Sequence, residues 1–218
     1  MNSQKINSTG SNKTVWLIGG IVAAIAIAAV IAIASTSSKQ DSSEEVAHGI
    51  DEYHSVEVTG EALPEYSDGG SDGAVGMTAP VLTGQGFTGN KITTTPGAPT
   101  LLVFLAHWCP HCQYEVPLLV QWERDGLVPA GIDVIAVTTS TDPAAPNYPP
   151  SEWLAREEWP PLWPVMTDSG EKTAATAFGV TGFPFFVLVD ADGKVAARSS
   201  GRIEMPALTE RINQALGV

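Results

Sequence analysis

The only two cysteines of this 218-residue chain, Cys109 and Cys112, are separated by two residues. If a helix begins at the first cysteine, the two side chains share one helix face and lie close enough to form a disulfide. Cys109 would then lie at the helix N-terminus, where unpaired backbone N–H groups and the helix dipole favour a thiolate. Pro110 favours this start because proline is well tolerated at the first helical position. The spacing predicts a dithiol that opens and closes reversibly.

Other uses of the cysteine pair fit the sequence less well. A structural disulfide that closes so short a loop would restrain the unfolded chain very little. A zinc ribbon requires four ligands, and the chain has no second cysteine pair. A copper carrier that binds metal through Cys109, Cys112 and a histidine is the alternative from a different functional class. Redox chemistry is the primary prediction.

A buried strand precedes the predicted active-site helix. Residues 101–105 form the apolar run Leu-Leu-Val-Phe-Leu, which is typical of a strand covered on both faces. Further short strands are expected near Val81 and at 91–93. After the active-site helix, strands alternate with helices, with strands predicted at 132–138, 165–167, 185–189 and 195–198, and helices at 110–125, 151–158, 171–178 and 206–216. This alternation predicts a layered α/β domain around a mixed sheet.

The N-terminus predicts a membrane anchor. Residues 15–34 carry no charge and are long enough to cross the hydrocarbon core as a helix. Residues 1–14 contain Lys5 and Lys13 and no acid, whereas acidic residues dominate after the span, so the positive-inside rule predicts a cytoplasmic tail and an extracytoplasmic remainder. Disulfides persist in that compartment. A cleaved signal peptide ending at 32–34 is the alternative, but its apolar core is usually shorter.

Composition divides the rest of the chain. Residues 35–76 are expected to form an acidic, flexible linker, because positions 41–76 contain ten Asp or Glu and no Lys or Arg. Residues 77–218 are enough for one domain with its own core. The chain has a net charge of −13, which argues against a nucleic-acid partner.

Two motifs connect the chain to a known family. Residues 103–112 read Val-Phe-Leu-Ala-His-Trp-Cys-Pro-His-Cys, and residues 181–184 read Thr-Gly-Phe-Pro. In order and spacing these motifs resemble the thioredoxin superfamily. Met-Thr-Ala-Pro at 77–80, Cys-Gln-Tyr-Glu-Val-Pro at 112–117 and the N-terminal anchor resemble its membrane-anchored, TlpA-like branch. The resemblance implies a thioredoxin fold, a mixed β-sheet flanked by helices, after an N-terminal transmembrane helix.

The resemblance also implies roles for individual residues. Cys109 would attack the substrate, and Cys112 would be the resolving cysteine that releases a mixed disulfide. Pro184 would be the family's cis-proline, beside which an extended substrate strand pairs, although an ordinary loop proline is the alternative. Trp108 and Phe183 would bind substrate. The chain departs from the family in having Phe183 and Phe185 beside this proline, where small or β-branched residues are usual. These rings would form an apolar docking floor for unfolded or aromatic substrates, unless Phe185 belongs to the core.

The proton acceptor differs from that of thioredoxins proper. Where those proteins place a buried aspartate six residues before the first cysteine, this chain has Val103. Glu115, one turn beyond Cys112, is the best candidate to take its proton, as in the TlpA-like branch. A solvated, salt-bridging glutamate is the alternative.

The residues between and around the cysteines suggest an oxidising poise. The Pro-His pair matches DsbA-like oxidants rather than the Gly-Pro pair of thioredoxin. The imidazolium form of His111 would stabilise the Cys109 thiolate and make the disulfide more oxidising. His107 is expected at the surface. Three tryptophans of the later insertion are expected to pack it, with a substrate-facing lid as the alternative: Trp153, Trp159 and Trp163.

These observations predict a membrane-tethered, extracytoplasmic thiol-disulfide oxidoreductase. It would exchange its dithiol with protein thiols and disulfides, be reset by a membrane or extracytoplasmic redox partner, and need no cofactor beyond its own cysteines. One alternative is a copper-binding, metallochaperone-like protein. Another is a peroxide-reducing thioredoxin-fold enzyme, but that family has threonine three residues before its reactive cysteine, where this chain has Ala106.

Overall fold

The computed structural model describes residues 49–217, so the predicted tail and anchor at 1–34 lie outside the described residues. No helix within 49–217 is long and apolar enough to cross a membrane. The strands of this region are β1 (Glu57–Thr59), β2 (Val81–Gln85), β3 (Lys91–Thr93), β4 (Thr100–Leu105), β5 (Asp133–Thr138), β6 (Val165–Thr167), β7 (Phe185–Val189) and β8 (Val195–Ser200). The helices are α1 (Pro110–Arg124), α2 (Pro150–Arg156), α3 (Thr173–Ala177) and α4 (Met205–Leu216).

The strands form one mixed sheet in the order β1-β2-β6-β5-β4-β7-β8, with β3 also paired to β2. The central strand β4 runs parallel to β5 and antiparallel to β7, and β7 forms a hairpin with β8. Strand β6 joins parallel to β5. The mixed sheet agrees with the sequence prediction. Its centre is the strand that leads into the active-site helix.

Strand β4 is buried along its whole length because both faces of the sheet are covered. Its alternate residues enter two different apolar clusters, as the two-residue period of a strand requires. Leu101, Val103 and Leu105 pack in one cluster together with both cysteines and with residues of α1 and α4. Leu102 and Phe104 pack in the other cluster, with residues of α3 and β7. The continuous apolar run therefore anchors the start of α1 through the first of these clusters.

The described part of the predicted linker, residues 49–76, is packed against the domain, so the prediction of a flexible linker is wrong for this part. β1 pairs with β2, and Leu63 is buried in the apolar cluster that contains α3. The buried Arg198 forms an ion pair with Asp72 at 2.5 Å, and this hydrogen bond lowers the pKa of the Asp72 carboxyl. The acidic composition predicted disorder because the compensating partners lie more than one hundred residues later in the sequence, where local composition cannot show them.

The insertion between β5 and β6 is held by its own aromatic residues. Trp153 and Trp163 are buried. The rings of Trp159 and Trp163 lie 5.3 Å apart, and Trp163 also packs against Trp122 of α1 at 6.2 Å. These contacts confirm the prediction that the tryptophans pack the insertion, and the lid alternative is wrong for them.

Candidate active site

Helix α1 begins where the sequence predicts. Cys109 is its N-cap, with extended backbone angles of φ −77° and ψ 120°, and Pro110 occupies the first helical position. The Cys109 carbonyl accepts the amide of Gln113 at 3.1 Å, which closes the first turn. No acidic residue lies in this turn. The helix therefore presents its positive end to the Cys109 sulfur.

The two cysteines, both free thiols here, have different surroundings. Cys109 is 7% exposed, and its Sγ–H donates to the Phe183 carbonyl at 3.5 Å. Cys112 is completely buried, and this burial raises the pKa of its thiol well above the usual range. The neighbouring Cys109 thiol and the Glu115 carboxylate raise that pKa further. Cys109 is thus the less buried of the two thiols, and Cys112 is the thiol that resists ionisation.

The predicted substrate-binding residues meet beside Cys109. The Phe183–Pro184 peptide bond is cis, and Pro184 is held by its carbonyl, which accepts the amide of Gly201 at 2.8 Å. Trp108 is 36% exposed, and its ring is perpendicular to that of Phe183 at 6.1 Å. Phe185 is completely buried in the core, so the predicted docking floor retains only Phe183.

Glu115 is completely buried, which contradicts the alternative of a solvated surface charge. Its Oε1 accepts the amide of Ile203 at 3.1 Å, and its Oε2 has no hydrogen-bond partner in the described part of the chain. Burial raises the pKa of Glu115 to about 6, although the Ile203 amide and the Arg202 charge oppose this shift. Val103 is buried in the same apolar cluster as Cys112, so no carboxylate replaces Glu115 from β4.

Sequence reasoning missed the loop after β8. This loop supplies Ile203 to Glu115 and places the guanidinium of Arg202 3.3 Å from the centroid of the Tyr114 ring. Both loop residues lie nearly ninety positions after their partners on α1, and no motif marks them. Only the three-dimensional fold brings them to the site.

The two histidines of the motif differ in location. His111 is exposed in the first turn of α1, where the prediction needs it. His107 is only 1% exposed, so the expectation of a surface position is wrong. It is buried because its ring bonds to the loop after β5 on both nitrogens. In residues 49–217 no group of three or more His, Cys, Asp or Glu side chains is placed to hold a metal ion.

The fold and the site together define a thioredoxin-like domain with a dithiol at a helix N-terminus. The chain belongs to the Redoxin family, whose model matches residues 74–213.

Two curated proteins are similar to this chain over part of their length. The methylamine utilization protein MauD of Methylophilus methylotrophus is 27% identical over 146 residues, which cover 64% of this chain and 63% of MauD. The thiol:disulfide interchange protein HelX of Rhodobacter capsulatus is 28% identical over 120 residues, which cover 55% of this chain and 62% of HelX. The chain therefore spans less than two thirds of the length of either relative.

Solved structures show the same fold. A candidate thiol:disulfide interchange protein DsbE from Chlorobium tepidum is 26% identical, with a TM-score of 0.53, and the match covers 66% of this chain and 98% of that one. A thiol:disulfide interchange protein of the thioredoxin family from Chlorobium tepidum TLS is 24% identical, with a TM-score of 0.52, and covers 64% and 96%. These matches support the thioredoxin-like fold.

Proposed function

We propose that this protein is a thiol-disulfide oxidoreductase that exchanges the Cys109 and Cys112 pair with protein substrates. The observation that carries the proposal is the asymmetry of the dithiol. Cys109 lies at the helix N-terminus beside exposed aromatic residues, whereas Cys112 is completely buried. Such an arrangement suits one attacking and one resolving thiol. HelX, to which the chain is similar, is a thiol:disulfide interchange protein.

The exchange proceeds in two steps. The Cys109 thiolate attacks one sulfur of a substrate disulfide, forms a mixed disulfide and releases the second substrate sulfur as a thiolate. Cys112 then loses its proton and attacks the Cys109 sulfur, which breaks the mixed disulfide and frees the first substrate sulfur. The protein loses two electrons and two protons, and the substrate gains them. The reverse sequence oxidises a substrate dithiol.

Glu115 accepts the Cys112 proton in the second step. Burial makes Cys112 a poor thiolate, so the resolving attack needs a base close to it. Glu115 lies one turn further along α1, and no group within 49–217 bonds to its Oε2. With a pKa of about 6, its carboxylate is ionised at neutral pH and is a stronger base than an exposed glutamate.

The direction of electron flow follows from the potential of the partner that resets the pair. His111 in the first turn of α1 favours the reduced form and therefore an oxidising poise. The partner that resets the enzyme is a membrane or extracytoplasmic thiol-disulfide protein, and no other cofactor takes part.

The domain acts outside the cytoplasm as a TlpA-like protein with a Cys-Pro-His-Cys motif, tethered by residues 15–34. The support is the uncharged apolar run, the lysines that precede it and the acids that follow it. An extracytoplasmic location also suits a dithiol that must persist as a disulfide during its cycle.

A redox titration tests the proposed chemistry. The full chain is equilibrated in glutathione buffers of different ratios, and its free thiols are counted by alkylation and mass measurement. A reversible two-electron transition between dithiol and intramolecular disulfide is expected. Failure of the chain to oxidise reversibly, or a stable glutathione adduct without closure of the pair, would contradict the proposal.

Proteolysis tests the proposed location. Protease is added to intact cells stripped of their wall or outer membrane. It should release the folded domain by cutting within 35–48, before the first described residues, and leave a small membrane-bound stub. Complete protection of the domain would contradict the orientation, and a domain found in the medium without protease would favour signal cleavage.

A further inference from the structure

The loop that connects β5 to α2, residues 139–149, is fastened to the two residues that precede Cys109. We call this segment the β5–α2 loop. It contacts His107 and Trp108 through hydrogen bonds that span between 32 and 40 positions of sequence. The thiol-disulfide chemistry described above does not use any of these contacts.

The His107 ring connects to the loop on both sides. Its Nδ1 lies 2.7 Å from the Pro146 carbonyl, and its Nε2 lies 3.1 Å from the backbone nitrogen of Asp142. A carbonyl only accepts and an amide N–H only donates, so Nδ1 carries the hydrogen and Nε2 accepts. The ring is therefore neutral in this arrangement. Phenylalanine would fill a similar space but would lose both hydrogen bonds.

The backbone of His107 adds to this connection. Its carbonyl accepts Gln113 Nε2 of α1 at 3.0 Å and Asn147 Nδ2 of the loop at 3.5 Å. One residue thus joins β4, the start of α1 and the β5–α2 loop. Because its side chain is buried, the conformation of the loop depends on it directly.

The loop in turn fixes the aromatic residues around the reactive thiol. The Trp108 indole Nε1 donates to the Ser140 carbonyl at 2.7 Å, and the Trp108 ring packs perpendicular to Phe183. Phe183 supplies the carbonyl that accepts from the Cys109 thiol. Contacts therefore run from the loop through two aromatic residues to the attacking sulfur.

The loop also supplies an exposed aromatic residue of its own. Tyr148 is 39% exposed, and its ring centroid lies 5.9 Å from that of His107. Trp108, the residue that follows His107, is exposed to a similar extent. We call Trp108, Tyr148 and Phe183 the aromatic wall. Aromatic surface of this kind favours apolar and aromatic side chains of a partner.

We propose that His107 is a positioning residue that holds the aromatic wall in place for polypeptide substrates with apolar side chains beside their cysteine. The inference rests on the proposed thiol-disulfide exchange and deepens it by assigning the substrate class. His107 does not touch the reacting sulfurs. It acts through the β5–α2 loop, which fixes the Trp108 indole and carries Tyr148.

The test compares two peptide disulfides and glutathione disulfide as oxidants of the reduced full chain. Both peptides are disulfide-linked dimers of one short sequence, with phenylalanine on either side of the cysteine in the first and serine in the second. The wild type should oxidise faster with the phenylalanine peptide. His107→Phe should reduce kcat/KM for this peptide by about threefold to tenfold, mainly through KM, because it loses aromatic contacts.

Tyr148→Ser provides a second variant at an exposed residue that takes no part in the hydrogen bonds of the His107 ring, and it should remove the same preference. Reaction with glutathione disulfide should fall by a smaller factor in both variants. The matched control is His54→Phe. His54 also ties a distant segment to the fold, and its Nδ1 lies 2.7 Å from Thr167 Oγ1, on β6 rather than on the loop or the motif. This control should behave like the wild type.

A spectroscopic signature separates positioning from a general loss of stability. The indole N–H resonance of Trp108, assigned with Trp108→Phe, should shift in His107→Phe and stay in place in His54→Phe, because only the first variant releases the Ser140 acceptor. Equal loss for all three oxidants, or equal use of the two peptides by the wild type, would overturn the inference. A wild type that exchanges with none of the oxidants would overturn the proposed function itself and this inference with it.

Discussion

The two cysteines of α1 are close in sequence, but they belong to different environments. Cys109 lies at the helix N-terminus directly after the exposed Trp108, and its thiol donates to the Phe183 carbonyl. Cys112 is completely buried, and one turn further along α1 lies the buried Glu115, whose Oε1 accepts the Ile203 amide. We call this second region the carboxyl pocket. In the proposed exchange, the first region meets the protein substrate, and the second region supplies the thiol that resolves the mixed disulfide.

This difference shows how one helix turn separates two tasks. A thiol at the surface of the site must be accessible and ionised, whereas a resolving thiol should stay protonated until the mixed disulfide has formed. Burial alone would leave Cys112 unreactive. In the proposed mechanism the buried Glu115 carboxylate restores this reactivity by offering a base one helix turn away, at the cost of burying a charge.

Exchange of each cysteine for serine should give the largest difference between the two regions. Cys109→Ser should abolish exchange, because Cys112 is completely buried and cannot reach a protein disulfide. Cys112→Ser should leave Cys109 able to attack, and mixed disulfides with substrates should accumulate on a nonreducing gel. Trapping by Cys109→Ser instead would reverse the assigned roles.

Removal of the carboxylate should have the next largest effect. Glu115→Gln should slow the resolving step by about tenfold to a hundredfold near neutral pH, in the lower range of general-base contributions. In the wild type the rate should rise with pH through about 6 as Glu115 ionises, and the variant should lack this rise. Single-turnover decay of the mixed disulfide between pH 4.5 and 8 gives the profile.

Glu123→Gln is the matched control, because Glu123 lies on the same helix two turns beyond Glu115 and outside the carboxyl pocket. It should keep the wild-type profile. The deficit of Glu115→Gln should fade at high pH, where Cys112 ionises without help. A profile of Glu115→Gln identical to that of the wild type would remove the proton role from Glu115.

The buried carboxyl also makes the stability of the domain depend on pH. Its pKa is raised from 4.5 to about 6, so the folded state binds this proton more tightly than the unfolded chain. The free energy of unfolding should therefore fall by about 2 kcal/mol as pH rises from about 4.5 to above 6. The glutamine in Glu115→Gln stays neutral at every pH, so the free energy of unfolding of this variant should not show that fall.

Urea unfolding of the reduced full chain at pH 4.5 and pH 7.5 measures the change. Other groups titrate in the same window, so the free energies of unfolding of the variant and the wild type are compared at each pH. Relative to the wild type, Glu115→Gln should be more stable at pH 7.5 than at pH 4.5. Glu123→Gln should follow the wild type. Parallel pH dependence of wild type and Glu115→Gln would show that the pocket admits enough water to solvate the carboxylate.

The strand and helix that carry the cysteines are encoded locally, and the sequence predicts them well. The apolar run at 101–105 requires a strand covered on both faces, and Cys109-Pro110 starts a helix by capping rules that involve only neighbouring residues. The cis bond before Pro184 was also predicted, through the resemblance to thioredoxins, and the structure confirms it.

Features that depend on distant partners could not be predicted in this way. Glu115 is buried because the loop after β8 covers it, and its partner Ile203 lies 88 positions away. His107 is buried because Pro146 and Asp142 bond to its ring, 39 and 35 positions later. For the same reason, strand β1 and its acidic surroundings were expected to be disordered. Local composition shows the charge of a segment, but it does not show which distant residues will pair with that charge in the fold.

Replacement of His111 should give the smallest effect, and it tests the electrostatic side of the comparison. His111 is exposed in the first turn of α1, so its imidazolium form would act on the Cys109 sulfur through a partly hydrated path. Loss of this charge removes stabilisation from the thiolate and thus from the reduced form. His111→Ala should therefore lower the reduction potential by a few tens of millivolts, since about 30 mV corresponds to roughly 1.4 kcal/mol for a two-electron couple.

Glutathione titration with alkylation of the remaining thiols measures this shift, and His54→Ala should leave the reduction potential unchanged. An equal or higher potential in His111→Ala would show that the helix N-terminus stabilises Cys109 without the histidine, and that the partner protein alone sets the direction of electron flow.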